Sequence, residues 1–385
     1  MDEALRIGDY AKSLSKNVEF NGLIKCYQCG NCTAICPVSD GSFPRKFVGY
    51  LRWGIKEKIE KAEVAWLCLQ CKLCDEFCPR GANPSNAMQI LKRIAVENGD
   101  VPPHIGEFLM NIYRRRNPWG HSRARRGEWI KRLDIEVPTV REKEGFEWLW
   151  YVGCANSFDP RVMGVTEKIA RILNDCGVNY AVLGREEGCC GNDVKRIGEE
   201  GLFELLMEEN VKIFKKYGVK KLITHSPHCY NAFKNDYHYD MEVKLFLELL
   251  YELIKKGKIE LKYKVDRVVT YHDSCFLGRY NNIYELPREI LKLIPGVKLV
   301  EMPSNRRMSI CCGGGSGNIT VGYQGKVQPS ILRIKEALSV KAEVLAVACP
   351  FCKIMLEEGV KSVNGDELEV LDIVDLVYYS AYGEG

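Results

Sequence analysis

The chain lacks any run approaching the roughly 18–20 uninterrupted apolar residues that a membrane-spanning helix needs, so it is not expected to cross a bilayer. Its first residues, "MDEALRIGDYAKSL", are charged and have no apolar core, so they are not expected to act as an export signal. Charge of one sign is scarce: the net charge is +4 over 385 residues, which gives no reason to expect a nucleic-acid or membrane-surface partner. No dinucleotide-binding fingerprint is present, since "GCCGN" and "CCGGGSG" carry cysteines where such a loop needs an open Gly-x-Gly. Any flavin or nicotinamide must therefore come with another subunit. The glycine run is not a phosphate loop either, for it lacks the Lys-Ser/Thr ending. Hydrophobic residues at 46% and charged residues at 28% are ordinary for a globular protein, and the length allows two or three domains.

Cysteine is what the chain has in abundance, with eighteen residues. In a chain without an export signal these are expected to be metal ligands or redox thiols rather than disulfides. Cys176, at the end of the helical pattern "IARILNDCG", reads instead as a small buried core residue. Two runs, "CYQCGNCTAICP" from Cys26 and "CLQCKLCDEFCP" from Cys68, share intervals of two, two and three residues before a proline. Zinc needs only two thiolate pairs. In the bacterial ferredoxin run three cysteines wrap one cubane and the fourth crosses to the other. On that pattern Cys26, Cys29, Cys32 and Cys78 are expected to hold one 4Fe-4S cluster, and Cys68, Cys71, Cys74 and Cys36 the second. Pro37 and Pro79 turn the chain away after the last ligand. Helical patterns, "FPRKFVGYLRWGIKEKIE" and "NPSNAMQILKRIAVENG", flank the two runs.

Residues 103–145, rich in Arg, Gly and Pro, read as a solvated linker with one short helix. From Trp148 the chain repeats a pattern of strand, helix, strand, helix, strand. "EWLWYVGC" matches "DRVVTYHDSC", "GCCGN" matches "CCGGGSG", and "THSPHC" matches "AVACPFC". Alternation with short loops predicts two parallel α/β halves facing each other in pseudo-two-fold symmetry. Their cysteines fall where strands end, the usual ligand position in open parallel sheets. The second half offers Cys275, Cys311, Cys312, Cys349 and Cys352. The first offers Cys154, Cys189, Cys190 and Cys229, with Ser226 where the fifth cysteine should stand.

These spacings, together with "YQCGNCTAICPV", "CDEFCPRGANPSNAM", "NPWG" and "YHDSCFLGRY", resemble the family of heterodisulfide reductase D subunits. That resemblance covers nearly all of the chain. It implies a mixed α+β and α/β fold: an N-terminal helical ferredoxin-like domain with two 4Fe-4S clusters (1–102), the linker (103–145), and a two-lobed CCG domain divided into 146–262 and 263–385. It further implies that the five cysteines from Cys275 to Cys352 bind a noncubane 4Fe-4S cluster, with Gly313, Gly314 and Gly315 letting backbone approach it and donate N–H groups to its sulfurs. With Ser226 in the first site, the alternatives there are zinc, an altered cluster or nothing; His225 and His228 are candidate substitute ligands, or else histidines at the surface or hydrogen-bonded behind the ligands.

The implied function is electron passage through the cubanes to the second site, where a thiol or disulfide is converted. His272, Asp273 and Arg279 are candidates for supplying protons or binding an anionic substrate, with strand-end hydrogen bonding the alternative for the first two. The competing expectation is an electron relay, the same module serving as the iron–sulfur subunit between a flavoprotein and a quinone, cytochrome b or ferredoxin. A metal-storage or scaffold role is a third reading, and one for which paired ferredoxin runs make little sense. The protein is expected in the cytoplasm, with any membrane association supplied by a partner.

Overall fold

The computed structural model describes residues 18–363 and 367–383; the charged N-terminal stretch discussed above lies outside them. The front segment wraps short helices around the two cysteine loops. Helix α1, Arg45–Trp53, stops at Gly54, whose left-handed backbone caps the helix by donating to the carbonyls of Leu51 and Tyr50. The helical pattern expected through this region is therefore broken into α1 and a short turn, Lys56–Ile59. Helix α2, Pro84–Glu97, starts with proline at its first position, where the missing N–H costs nothing. Its apolar residues Ala87, Met88, Ile90, Leu91 and Ile94 are buried. They share one hydrophobic cluster with Leu149, Leu222, Leu345 and Val370 of the later sheets, so the front segment has no separate core.

The expected solvated linker is corrected here. Residues from 103 form helix α3, Pro103–Arg115, and then a 3-10 helix, Arg123–Arg132. Ile105, Phe108, Ile112 and Trp129 are buried. Arg126, in the middle of the basic stretch, is 2% exposed. The segment is thus solvated on one side only: apolar residues three or four apart give it a face that the body covers, and local abundance of arginine hid that spacing.

Two four-stranded parallel sheets follow. The first has the order β2-β1-β3-β4 and the second β6-β5-β7-β8, so the two halves repeat one topology. The strands are β1 Trp148–Trp150, β2 Tyr180–Val182, β3 Lys221–Thr224 and β4 Glu242–Leu245. Their counterparts are β5 Val268–Tyr271, β6 Lys298–Val300, β7 Val344–Val347 and β8 Glu369–Asp372. Each half has four strands rather than the three expected. The added ones, β4 and β8, are edge strands with charged, half-exposed residues, so their apolar signal is weak. Central strands are buried on both faces, as parallel sheets require. Leu149 belongs to one hydrophobic cluster while Trp148 and Trp150 belong to the other. Cys176, the residue after helix Pro160–Asp175, is buried in the second cluster, as its sequence setting indicates.

Candidate functional site

In each sheet the chain runs from the central strand to one side, then crosses to the other side of that strand. Ligand sites in open α/β sheets form at the carboxyl end of this switch point. Here the switch lies between β1 and β3, and between β5 and β7. Cys154 follows β1 and Cys229 follows β3, while Cys275 follows β5 and Cys349 and Cys352 follow β7. The loops after β2 and β6 bring the cysteine pairs.

A short helix begins after β3 with Pro227, and another, Pro350–Ser362, begins after β7. Both have proline at the first position and cysteine at the third, which makes Ser226 and Cys349 the two N-cap residues. The serine of the first half and the cysteine of the second therefore occupy the same place in the fold.

In the first site the thiols touch in sequence: Cys154 with Cys189, Cys189 with Cys190, and Cys190 with Cys229. Donation of its S–H to Cys189, and then burial, hold Cys154 far above the ordinary thiol range. Arg126 donates from Nη2 to the Cys154 sulfur at 3.3 Å and from Nη1 to Glu187 at 2.7 Å. Glu187 also accepts the backbone N–H groups of Val152 and Gly153. Sequence reading missed Arg126 because its partners lie 28 and 61 residues away.

The two histidines do not complete this site, which corrects one expectation. Both are about 5% exposed, so they are not surface residues either. His225 is engaged at both ring nitrogens, by Asn156 at 3.3 Å and Asp372 at 3.1 Å. His228 donates from Nδ1 to Asp193 at 2.7 Å, and its ring lies between Phe276 and Phe351, with centroids 4.3 and 4.1 Å away. Asn192 Nδ2 lies 3.2 Å from the same nitrogen, and the ring also meets the Cys349 thiol of the opposite half. His228 thus borders the second site.

In the second site Cys311 touches Cys275 and Cys312, Cys312 touches Cys352, and Cys352 touches Cys349. Burial opposes ionisation of Cys349, but hydrogen bonds from Cys352 and His228 bring it down to about 5. His272 accepts at Nδ1 from Nε of the fully buried Arg333, at 3.1 Å. An arginine nitrogen can only donate, so Nδ1 is bare and the proton of the neutral ring sits on Nε2. That nitrogen is buried without an oxygen or nitrogen partner, and the ring lies within 4.8 Å of the Cys312 and Cys352 sulfurs.

Of the other two candidates, Asp273 is occupied elsewhere. Both Asp273 oxygens pair with Arg288, at 2.7 and 2.9 Å, and one also accepts the backbone N–H of Arg306. This is the strand-end hydrogen-bonding alternative. Arg279 donates to the carbonyls of Cys71, Arg307 and Ser309. Its Nη2 remains buried and unpartnered, as do the hydroxyls of Ser274 and Ser316. Five thiols in one contact chain, with the unpartnered His272 Nε2–H beside Cys312 and Cys352 and the Arg279 cation near Cys275 and Cys311, suit a negatively charged sulfur-rich group.

The glycine run meets both a site cysteine and the rest of the protein. The Gly313 N–H does point at the Cys311 sulfur, at 3.5 Å. A side chain at Gly315, however, would fall 2.7 Å from the Leu69 carbonyl oxygen, and one at Gly314 would fall 2.9 Å from Met355. At these two positions the missing side chain admits the front segment and the core.

Two small cavities occupy the front segment. One is lined by Cys26, Cys29, Cys32 and Cys78, and the other by Cys36, Cys68, Cys71 and Cys74, so the fourth cysteine of each run reaches across to the other. Backbone N–H groups of Gln28, Gln70 and Ala82 point at the sulfurs of Cys26, Cys68 and Cys78 at 3.2–3.5 Å. Buried Lys92, held down at about 8 by desolvation, donates to the Cys68 carbonyl at 2.6 Å. The second cavity adjoins the second cysteine-rich site. Cys71 and Cys311 are in hydrogen-bond contact, which, against burial and with Arg279 nearby, brings the Cys71 thiol down to about 6. Tyr280 and Tyr323 donate to the carbonyls of Gln70 and Leu67 on the same loop.

Known proteins share this organisation. A 4Fe-4S dicluster domain matches residues 22–82, and a cysteine-rich domain matches residues 148–234 and 269–357. The chain is 38% identical over 331 residues to a "Probable iron-sulfur-binding oxidoreductase FadF" of Bacillus subtilis, covering 83% of this chain and 47% of that protein. It is 34% identical to an EtfAB:quinone oxidoreductase of Syntrophomonas wolfei, covering 82% and 46%. The chain thus spans about half the length of these two relatives. With the D subunit of the dihydromethanophenazine:CoB–CoM heterodisulfide reductase of Methanosarcina acetivorans it shares 31% identity over 94% of both chains. Its two matched domains make it an iron–sulfur protein. No helix among the described residues is long and apolar enough to cross a membrane.

Proposed function

Because this chain belongs to the family of heterodisulfide reductase D subunits, we propose that it is a redox subunit joining a one-electron port in its front segment to a thiol- or disulfide-converting pocket at the second cysteine-rich site. The two front cysteine sets would hold 4Fe-4S cubanes, and the five cysteines from Cys275 to Cys352 a noncubane 4Fe-4S cluster; when bound, these supply one-electron carriers and iron able to accept a sulfur ligand. The observation that carries this reading is the Cys71–Cys311 contact, which brings a front-segment thiol directly onto the second site.

The chain's own residues prepare the rest. Arg279 and Tyr280 grip the Cys71 and Gln70 carbonyls and fix the separation of the two sites. His272, with its tautomer set by Arg333, presents an N–H to the Cys312–Cys352 sulfurs. The first site, with Cys154, Cys189, Cys190 and Cys229, would hold zinc or an altered cluster, with Arg126 offsetting thiolate charge.

A second reading is favoured by Ser226: if, as the family resemblance implies, a disulfide were split between one cluster in each half, the missing cysteine of the first site would impair that cleavage. The chain would then relay electrons between a flavoprotein and a quinone, cytochrome b or ferredoxin partner. Anaerobically purified protein separates the two. Reduction of a heterodisulfide with a low-potential donor, or a thiol-dependent paramagnetic signal, supports conversion at the second site. A protein inert alone that co-purifies with a flavoprotein or cytochrome b supports the relay. Absence of bound iron and sulfide rejects both.

A further inference from the structure

The two front cysteine sets differ in what covers them. The set that includes Cys71 is closed off by Arg279, Tyr280, Tyr323 and Gly315 of the second half. The other set faces outward, and Cys29 is the one exposed cysteine of the eighteen. Around it the surface is unusual. Ile24, Tyr27 and Trp53 are 57%, 62% and 50% exposed, although all three are large and apolar.

Helix α1 lies along the Cys26 loop and places these groups together. Arg45 reaches Gly30 at one end, Gly49 abuts the Gln28 amide in the middle, and Arg52 donates to the Cys26 carbonyl near the other end. Trp53 is one turn beyond Gly49 and so lies on this same side. Lys25, Arg45, Lys46 and Arg80 are exposed around the patch. Among the described residues, none of these four cations has a carboxylate within ion-pair distance, whereas the exposed Arg141 and Arg306 elsewhere are both paired.

We propose that this face, with Cys29 at its centre, is the docking surface for an acidic one-electron-transfer protein. This rests on the redox reading above and adds where the partner binds and what charge it carries. Carboxylates of the partner meet the four cations and steer the encounter, while Ile24, Tyr27 and Trp53 supply the apolar centre. One electron leaves the reduced partner and enters this chain at the Cys29 set; no proton moves and no bond is made or broken.

The test uses the holoprotein under anaerobic conditions, with a strongly acidic plant-type ferredoxin as probe and basic cytochrome c as the opposite-charge control. Calorimetry is expected to give a Kd that weakens on the order of tenfold between low and physiological salt, as screening of close charges requires. The pair Lys25→Glu and Lys46→Glu is expected to weaken binding by a similar factor, with Lys25→Gln and Lys46→Gln giving a smaller loss in the same direction. These lysines are chosen because Arg45 and Arg80 line the cysteine cavity and so bear on the cluster itself. Iron content and the rate of reduction by dithionite stay unchanged in the variants. Binding insensitive to salt and to both variants, no binding of the acidic probe at low salt, equal binding of cytochrome c, or loss of iron in the Gln variants each overturns the proposal. If the parent protein holds no iron, the redox reading itself fails instead.

Discussion

Arg126 and Glu187 show how much one buried pair supports. The guanidinium is locked between a carboxylate and a thiol, and the carboxylate in turn holds the turn after β1 through Val152 and Gly153. Removing only the cation strands a buried anion. Arg126→Met is therefore expected to lower stability by about 3–5 kcal/mol in urea unfolding, and combining it with Glu187→Gln should recover part of the loss. A milder case is Glu186, where burial resists ionisation but Arg141, Tyr217 and Lys216 outweigh it and bring the carboxyl to about 2. The folded value lies below the unfolded one, so the contribution is complete above pH about 4.5 and disappears as pH falls towards 2. Glu186→Gln should cost roughly 1–2 kcal/mol at pH 7 after screening, and the two melting curves should converge in acid as that window is crossed.

Elements carry the next level. The proline-led helices after β3 and β7 fix the N-cap and third positions by backbone geometry, which is why a serine and a cysteine can exchange without changing the fold around them. The loop after β6 is held to a different standard, because Gly314 and Gly315 lie close against protein. Gly315→Val would drive two methyl groups towards the Leu69 carbonyl. The expected outcome is a loss of about 1–3 kcal/mol, seen in thermal melting, from overpacking at this contact. Slower electron passage from the front segment to the second site in rapid mixing should accompany it.

For the molecule as a whole, the repeated strand order implies that the first site is one thiol short of the second. Ser226→Cys supplies that thiol at the position equivalent to Cys349. Iron and acid-labile sulfide per chain are expected to rise in the variant, measured on anaerobically prepared protein; unchanged content would mean the two halves differ in more than this residue. The hydrophobic cluster shared by the front segment and the sheets also predicts that they unfold together in a single transition.

Much of this was legible in the residues alone. Cysteine spacing identified the two front runs and the two cysteine-rich halves, because ligands to one group must sit at short, repeating intervals on loops between strands. Alternating strand and helix patterns likewise identified the parallel α/β halves. Spacing carries no information about partners far apart in the chain. Only the tertiary structure put Arg126 on Cys154, turned His228 of the first half towards Cys349 of the second, and set Cys71 against Cys311. It also converted an apparent linker into a packed helix and an arginine-bearing turn, since burial depends on what lies opposite, which a local pattern cannot record.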